Sequence, residues 1–261
     1  MKNTVLLKKT DKIATIFFNR PEQKNAFDAA LANEFAAALE DAMKDKNITT
    51  IILRGEGDMF MVGGDIKLFF SNRENMTPVL TEMGGAVVKI MSLFEKCNKP
   101  ILAAVHGSVA GIGLSFMLCA DLVIAQEGTN FLTAYTQLAL TPDGAMTYHL
   151  PRLVGAHKAA ELLLLNEQFD AKVAKELGLI NWVVPGDQFE AKIKTISEKL
   201  ATGPVLAYAR VRHLLKNTWQ NSFLEQVNQE LRAFRDSTET KDFKIGVSAF
   251  VNKKQPNFEG T

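Results

Sequence analysis

The sequence predicts an α/β fold with a helical C-terminal region, and three observations carry that expectation. Short apolar runs such as TIILR (50–54) and ILAAVH (101–106) have the composition of strands buried on both faces. Stretches with apolar residues at helical spacing lie between them. After Gly203-Pro204 the pattern is helical to near the end. Strands alternating with helices over the first two thirds of a chain define the α/β class.

Taken in order, 5–9 and 13–19 form two strands about a turn at 10–12, and Asn19-Arg20-Pro21 ends the second. Asp28 is placed to cap a helix running to about Lys44, with Leu31, Phe35, Leu39 and Ala42 on one face. Segment 50–54 is the first buried strand, and 55–65 is a glycine-rich loop. Thr77-Pro78 reads as an N-cap with a first-turn proline, opening a helix to about Glu95. Pro100 precedes the strand 101–106. A second glycine-rich turn, 107–113, leads into a helix to about Leu118, and 122–125 is a strand again. From Ala145 helices dominate, apart from a strand at 180–184 before Pro185-Gly186. Two amphipathic helices, 204–217 and 222–237, close the pattern.

The chain has 261 residues, enough for one large domain or a domain with an appendage, and Gly203-Pro204 is the best boundary. Hydrophobic residues at 47% and charged residues at 23% exclude disorder as the main state. A net charge of +1 argues against a partner that is a nucleic acid, which calls for a strong basic excess. It leaves room for a polyanionic small molecule, which needs only a few local cations. Cys97 and Cys119 form no disulfide framework and read as buried thiols; the four histidines lack metal-ligand spacing, so no metal is expected. Segment 101–120 is uncharged and of membrane-spanning length, but His106, its glycines and its serines break it into strand, turn and helix. Neither MKNTVLLKKTDK nor NFEGT has the form of a targeting signal, so the expected location is cytoplasmic, with no membrane partner.

Two places share one design, a buried strand running into glycines: Gly63-Gly64-Asp65, and Gly107 with Gly111 and Gly113. Each loop alone reads first as a tight strand-to-helix turn. The functional alternative is that unpaired backbone N–H groups there converge as an oxyanion hole, where one donor lowers a barrier by about 3–4 kcal/mol. Phosphate loops do not fit, because Phe116 stands where GxGxxG needs its last glycine and GxxxxGK[ST] is absent; the GxSxG nucleophile elbow is absent too. A third feature is Thr141-Pro142-Asp143-Gly144. Asp143 is a turn residue or cap in the first instance. Its functional reading is a general base whose pKa is raised by an apolar lining of Leu138, Leu140, Met146 and Tyr135.

Set beside one another, these segments resemble the crotonase superfamily of enoyl-CoA hydratases and isomerases. The resemblance runs from Asn19-Arg20-Pro21-Glu22-Gln23-Lys24-Asn25-Ala26-Phe27 through Phe60-Met61-Val62-Gly63-Gly64-Asp65-Ile66 and 99–107 (KPILAAVHG) with Ala110-Gly111-Ile112-Gly113. It continues through Cys119-Ala120-Asp121, 150–155 (LPRLVG) and 174–179 (AKELGL) to 250–258 (FVNKKQPNF). It implies a crotonase-like spiral of β-β-α turns over 1–200 that binds acyl-CoA, and a helical trimerisation region over 201–261, in a homotrimer or dimer of trimers. The implied substrate is an acyl-CoA thioester; coenzyme A arrives as part of it, and no separate cofactor is implied. By position the oxyanion donors are the amides of Gly64 and Ile112. Lys24, Ala26, Asp65, Ile66 and Lys67 fall in the CoA-binding stretches. Phe250 and Lys253 match positions that approach a neighbouring subunit's CoA. Isoleucine at 112, and Met61 and Val62 in place of smaller residues, imply a reshaped acyl pocket and CoA channel.

The departures from the family pattern point to the reaction. Hydratases of the superfamily use two glutamates, and Ser115 and Tyr135 stand at those positions. Asp143 matches a third position, where a subset of enoyl-CoA isomerases carries its single acidic base. The expectation is therefore a Δ3,Δ2-enoyl-CoA isomerase, with Asp143 as base and Tyr135 and Tyr148 lining the acyl pocket. Hydratase-like chemistry is an alternative. So is an aryl-CoA dehalogenase or hydrolase with Asp143 as nucleophile, although its helical histidine is absent from 78–95. A catalytically impaired acyl-CoA-binding protein is the last.

Overall fold

The computed structural model describes residues 3–261; Met1 and Lys2, part of the segment read for a targeting signal, lie outside the described residues. The chain runs β1 (Val5–Thr10), β2 (Ile13–Phe18), α1 (Ala29–Lys44), β3 (Thr50–Gly55), α2 (Ile66–Ser71) and α3 (Thr77–Lys96). It continues β4 (Ile101–Val105), β5 (Ser108–Ala110), α4 (Ile112–Leu118), β6 (Leu122–Gln126), β7 (Asn130–Leu132), α5 (Met146–Val154) and α6 (Ala156–Leu165). It ends β8 (Phe169–Asp170), α7 (Ala171–Glu176), β9 (Trp182–Val184), α8 (Gly186–Ala201), α9 (Val205–Asn217), α10 (Phe223–Thr238) and α11 (Lys241–Val251).

Six strands form one sheet in the order β1-β2-β3-β4-β6-β9, parallel except for the β1–β2 hairpin. A second, shorter sheet has the order β5-β7-β8. Strand β4 of the large sheet is followed by β5 of the small one, and β6 by β7, so successive turns of the chain serve both sheets. Met61 after β3 bridges Val109 of β5, Val109 pairs with Phe131 of β7, and Phe131 pairs with Phe169 of β8. All four side chains are buried, so one apolar row fixes the register of successive turns. This is the spiral the sequence led us to expect.

The core lies between the large sheet and the helices. Asp28 caps α1 by accepting from the Leu31 N–H at 2.9 Å, and Leu31, Phe35, Leu39 and Ala42 are buried as their spacing predicts. Phe18 packs edge-on against Phe35 and Phe60, with centroids 5.0 and 5.4 Å apart. Strand β4 is buried along its whole length, and 101–120 divides into β4, β5 and α4. Among the described residues no helix is long and apolar enough to cross a membrane. Cys97 is buried, and burial pushes the Cys119 thiol up to about 12.

Four local expectations need correction. Met76, not Thr77, occupies the cap of α3, and no side chain caps that end. The turn 107–113 contains β5, a strand too short for a periodic signal. The loop 55–65 runs directly into α2, which had no counterpart in the sequence reading. Strands β7 and β8 are likewise new, and the register row above is what holds them. The tail is tied back to the core: the buried Arg212 of α9 pairs with Asp121, its Nε 2.7 Å from Oδ1, and donates to the Cys97 carbonyl.

Candidate active site

The register row places the chemistry. Three residues past Met61, Val109 and Phe131 stand Gly64, Ile112 and Ala134, all on the wall of one cavity of about 430 Å³. Gly111 donates to the Leu132 carbonyl and Ala110 to the Met61 carbonyl, so the three exits are stitched side by side. Ile112 opens α4 and therefore has no intrahelical acceptor for its N–H. Among the described residues, neither the Ile112 nor the Gly64 amide donates to another group of the chain. Two free amides on adjacent loops at one cavity wall can both donate to one oxygen held there, as the donors of an oxyanion hole do.

Asp143 reaches the same cavity from the loop before α5, and among the described residues it is the one carboxylate on the wall. Tyr135 donates its hydroxyl proton to Asp143 Oδ1 at 2.6 Å. Ser115 Oγ donates to the Asp143 backbone carbonyl at 2.9 Å and lies 3.3 Å from the Tyr135 hydroxyl. The surrounding protein displaces water and pushes the Asp143 carboxyl above its ordinary range, while the Tyr135 bond acts the other way. Asp143 remains open to the cavity itself. Burial, and next the Asp143 charge, drive the Tyr135 phenol well above its usual range, so it stays protonated.

Apolar walls complete the pocket. Val62, Ile66 and Phe69 come from the first loop and α2, Leu80 and Met83 from α3, and Leu138 and Leu140 from the turn after Tyr135. The expected lining by Leu138, Leu140 and Tyr135 is therefore present. Met146 is not part of it, being fully buried behind the wall. Tyr148 does not line the cavity either. It is 40% exposed, and the Arg152 guanidinium sits 3.6 Å from its ring centroid. Gly144 (φ 58°) and Ala145 (φ 63°) are both left-handed, and they turn the chain so that α5 carries Tyr148 outside the pocket.

The structure thus brings together Gly64, Ile66, Ile112, Tyr135 and Asp143. Ala26 and Asp65 lie beside the Gly64 edge, because Phe27 bridges Gly64 and exchanges hydrogen bonds with Gly63 and Asp65. Asp65 uses its carboxylate to cap α2 at the Lys67 and Leu68 amides. Lys24 and Lys67 are exposed in the flanking stretches. Phe250 is exposed at the end of α11, with Lys253 just beyond it, and neither lines this cavity.

Two organising side chains escaped the reading of the sequence. Arg20 pairs with Asp28 and Asp65, each at 3.1 Å, and donates to the Ala26 carbonyl, so it holds the first loop to α1. Asn166 Oδ1 accepts from both Thr133 Oγ1 and the Ala134 N–H at 2.6 Å, fixing the backbone before Tyr135. Arg20 stood inside a quoted motif, but nothing local assigned it this task. Asn166 is 31 residues from Tyr135 and gave no signal.

Comparison with known proteins accords with this geometry. The sequence matches the enoyl-CoA hydratase/isomerase family over residues 8–261. It is 34% identical to a Rhodobacter capsulatus protein named "Probable enoyl-CoA hydratase", over 99% of this chain and 98% of that one. It is 29% identical to the trans-2-decenoyl-[acyl-carrier-protein] isomerase of Streptococcus mutans, over 95% of each. The fold superposes on the crystal structure of an enoyl-CoA hydratase from Bacillus anthracis with a TM-score of 0.91 and 29% identity, covering 99% of this chain and 100% of the other. The protein belongs to the enoyl-CoA hydratase/isomerase family of the crotonase superfamily.

Proposed function

We propose that the protein is a Δ3,Δ2-enoyl-CoA isomerase. The observation that carries this reading is that, among the described residues, Asp143 is the one carboxylate on the cavity wall, with hydroxyls of Ser115 and Tyr135 at the two positions where the resemblance places a hydratase's glutamates. In this reading the Gly64 and Ile112 amides bind the thioester oxygen. Asp143 takes a proton from C2; the C–H electron pair enters a dienolate whose negative charge rests on that oxygen. The same proton then forms a bond at C4, the charge collapses, and the double bond moves from C3–C4 to C2–C3. Atoms and electrons balance with no co-reactant.

The Streptococcus mutans relative is an isomerase of an enoyl thioester, which supports the reaction class, although its carrier is a protein. Coenzyme A as carrier here rests on the family's name and on Lys24, Ala26 and Lys67 along the Gly64 edge. The name of the Rhodobacter relative favours hydration as the second reading. We assign residues 201–261 to assembly as a trimer or dimer of trimers, because Trp219, Phe223, Phe234 and Phe250 are 65, 80, 72 and 86% exposed in one chain. Phe250 and Lys253 would then reach a neighbouring protomer's CoA.

A panel of 2-enoyl-, 3-enoyl- and aryl-CoA esters, with a 3-enoyl acyl-carrier-protein thioester, tests the reading. Conversion of 3-enoyl to 2-enoyl product supports it. Conversion of 2-enoyl-CoA to 3-hydroxyacyl-CoA as the main reaction, an acyl ester on Asp143 in the mass spectrum, or binding without turnover replaces it.

A further inference from the structure

We propose that Tyr135 is a positioning residue for Asp143: its hydroxyl holds Oδ1 and leaves Oδ2 as the single oxygen that carries the proton. The inference rests on the reading of Asp143 as a base and adds the device that aims it.

The geometry leaves Tyr135 one partner. Ser115 commits its proton to the Asp143 backbone carbonyl at 2.9 Å, so toward Tyr135, 3.3 Å away, it can only accept. The Tyr135 proton therefore goes to the much closer Asp143 Oδ1, at 2.6 Å. Tyr135 is itself 8% exposed, and its backbone is pinned from outside the site. The preceding Ala134 is left-handed (φ 66°), and its N–H is held by Asn166 Oδ1. The donor is thus fixed at both ends before it meets the carboxylate.

A carboxylate free to turn about its Cβ–Cγ bond offers either oxygen to a substrate. One held by a rigid phenol offers one oxygen in one place, which suits a proton moved between two carbons of one chain. The bond also favours the ionised form against the apolar walls. Among the described residues, Asp143 and Tyr135 are the only titratable groups on the cavity wall. The elements packed there contribute Ile112 and Ser115 from α4, Phe69 from α2, Leu80 and Met83 from α3, and no charge. On α5, His149 takes its electrostatic influences from Arg152, Glu95 and Lys216, none of which acts on Asp143.

The test reads Asp143 directly. Infrared difference spectra of each substrate-free protein against its Asp143→Asn counterpart follow the protonated carboxyl band with pH. In Tyr135→Phe the midpoint should move up by about one pH unit or more, the size expected for losing a hydrogen bond to a charged group. Replacing Tyr135 by 3-fluorotyrosine, a stronger donor that keeps the ring, should move it down. The acid limb of kcat/KM for 3-enoyl-CoA should follow both shifts, with kcat changing and KM holding within about twofold. An unchanged midpoint in both variants overturns the proposal, as does a loss of kcat by the same factor at every pH. If the midpoints shift but wild type does not isomerise 3-enoyl-CoA, the positioning stands and the assigned reaction falls.

Discussion

Gly63 and Gly111 touch backbone to backbone: a Cβ on Gly111 would lie 3.2 Å from the Gly63 Cα. The two loops that present the free amides are therefore locked to one another and not merely near. Gly111 also has φ 52° and ψ −127°, a conformation closed to side chains. Gly111→Ala should cost on the order of 1–3 kcal/mol of stability through strain. It should lower turnover on the order of 100-fold by displacing the Ile112 amide. Urea denaturation and kcat measure the two effects separately.

The raised pKa of Asp143 makes a stability prediction as well as a catalytic one. A carboxyl whose folded pKa lies above its unfolded value of about 3.9 contributes stability below that value. The contribution is lost as pH rises through the folded pKa. At pH 7 the wild type therefore bears a cost that Asp143→Asn removes, since asparagine can still accept from Tyr135. The variant should unfold at equal or higher urea concentration at pH 8, and the difference should shrink toward pH 4. Activity has the opposite sign: it falls as pH drops through the Asp143 pKa, because the base becomes protonated.

Asn166 is the remote support of the site. Its Oδ1 receives two hydrogen bonds of 2.6 Å in a buried position. Asn166→Ala leaves the Ala134 amide without its acceptor, while the Thr133 hydroxyl keeps the Leu162 carbonyl at 2.8 Å, and the loss should cost roughly 1–3 kcal/mol. Because Ala134 directly precedes Tyr135, kcat should fall more than KM rises. Steady-state kinetics at a temperature where the variant remains folded checks this.

Arg20 joins the first loop to α1 through Asp28, Asp65 and the Ala26 carbonyl. Lysine keeps the charge but not the fork that serves three acceptors. Arg20→Lys should raise KM for the CoA thioester several-fold, through the two segments it joins, which carry Lys24 and Lys67, and leave kcat closer to wild type. Substrate titrations with matched CoA and pantetheine thioesters check it, since the shorter carrier should lose less.

The large elements were legible because their signals are local. Strand β3 (TIILRG) and helix α1, with its Asp28 cap, announce themselves by composition and period. Strands β5, β7 and β8 span three, three and two residues and are held by pairing with segments distant in sequence, along the row Met61, Val109, Phe131, Phe169 and its neighbours, so no window of sequence reveals them. Helix α2 is six residues of mostly apolar sequence, too short for a face to show. At the site, the two glycine loops and Asp143 with its apolar lining stand out locally but read first as turns, and the resemblance is what singles out the Gly64 and Ile112 amides as donors and Asp143 as the one base. Tyr148 was misplaced because nearness in sequence ignores the two left-handed residues, Gly144 and Ala145, that redirect the chain.

If Asp143 is the sole base of a double-bond shift, its replacement by asparagine must show in the turnover of a 3-enoyl-CoA. The account predicts a fall on the order of 100- to 10,000-fold, the usual worth of a general base, with the affinity for the thioester kept within a few-fold. Near-wild-type turnover in that variant, with the substrate still bound, would contradict it.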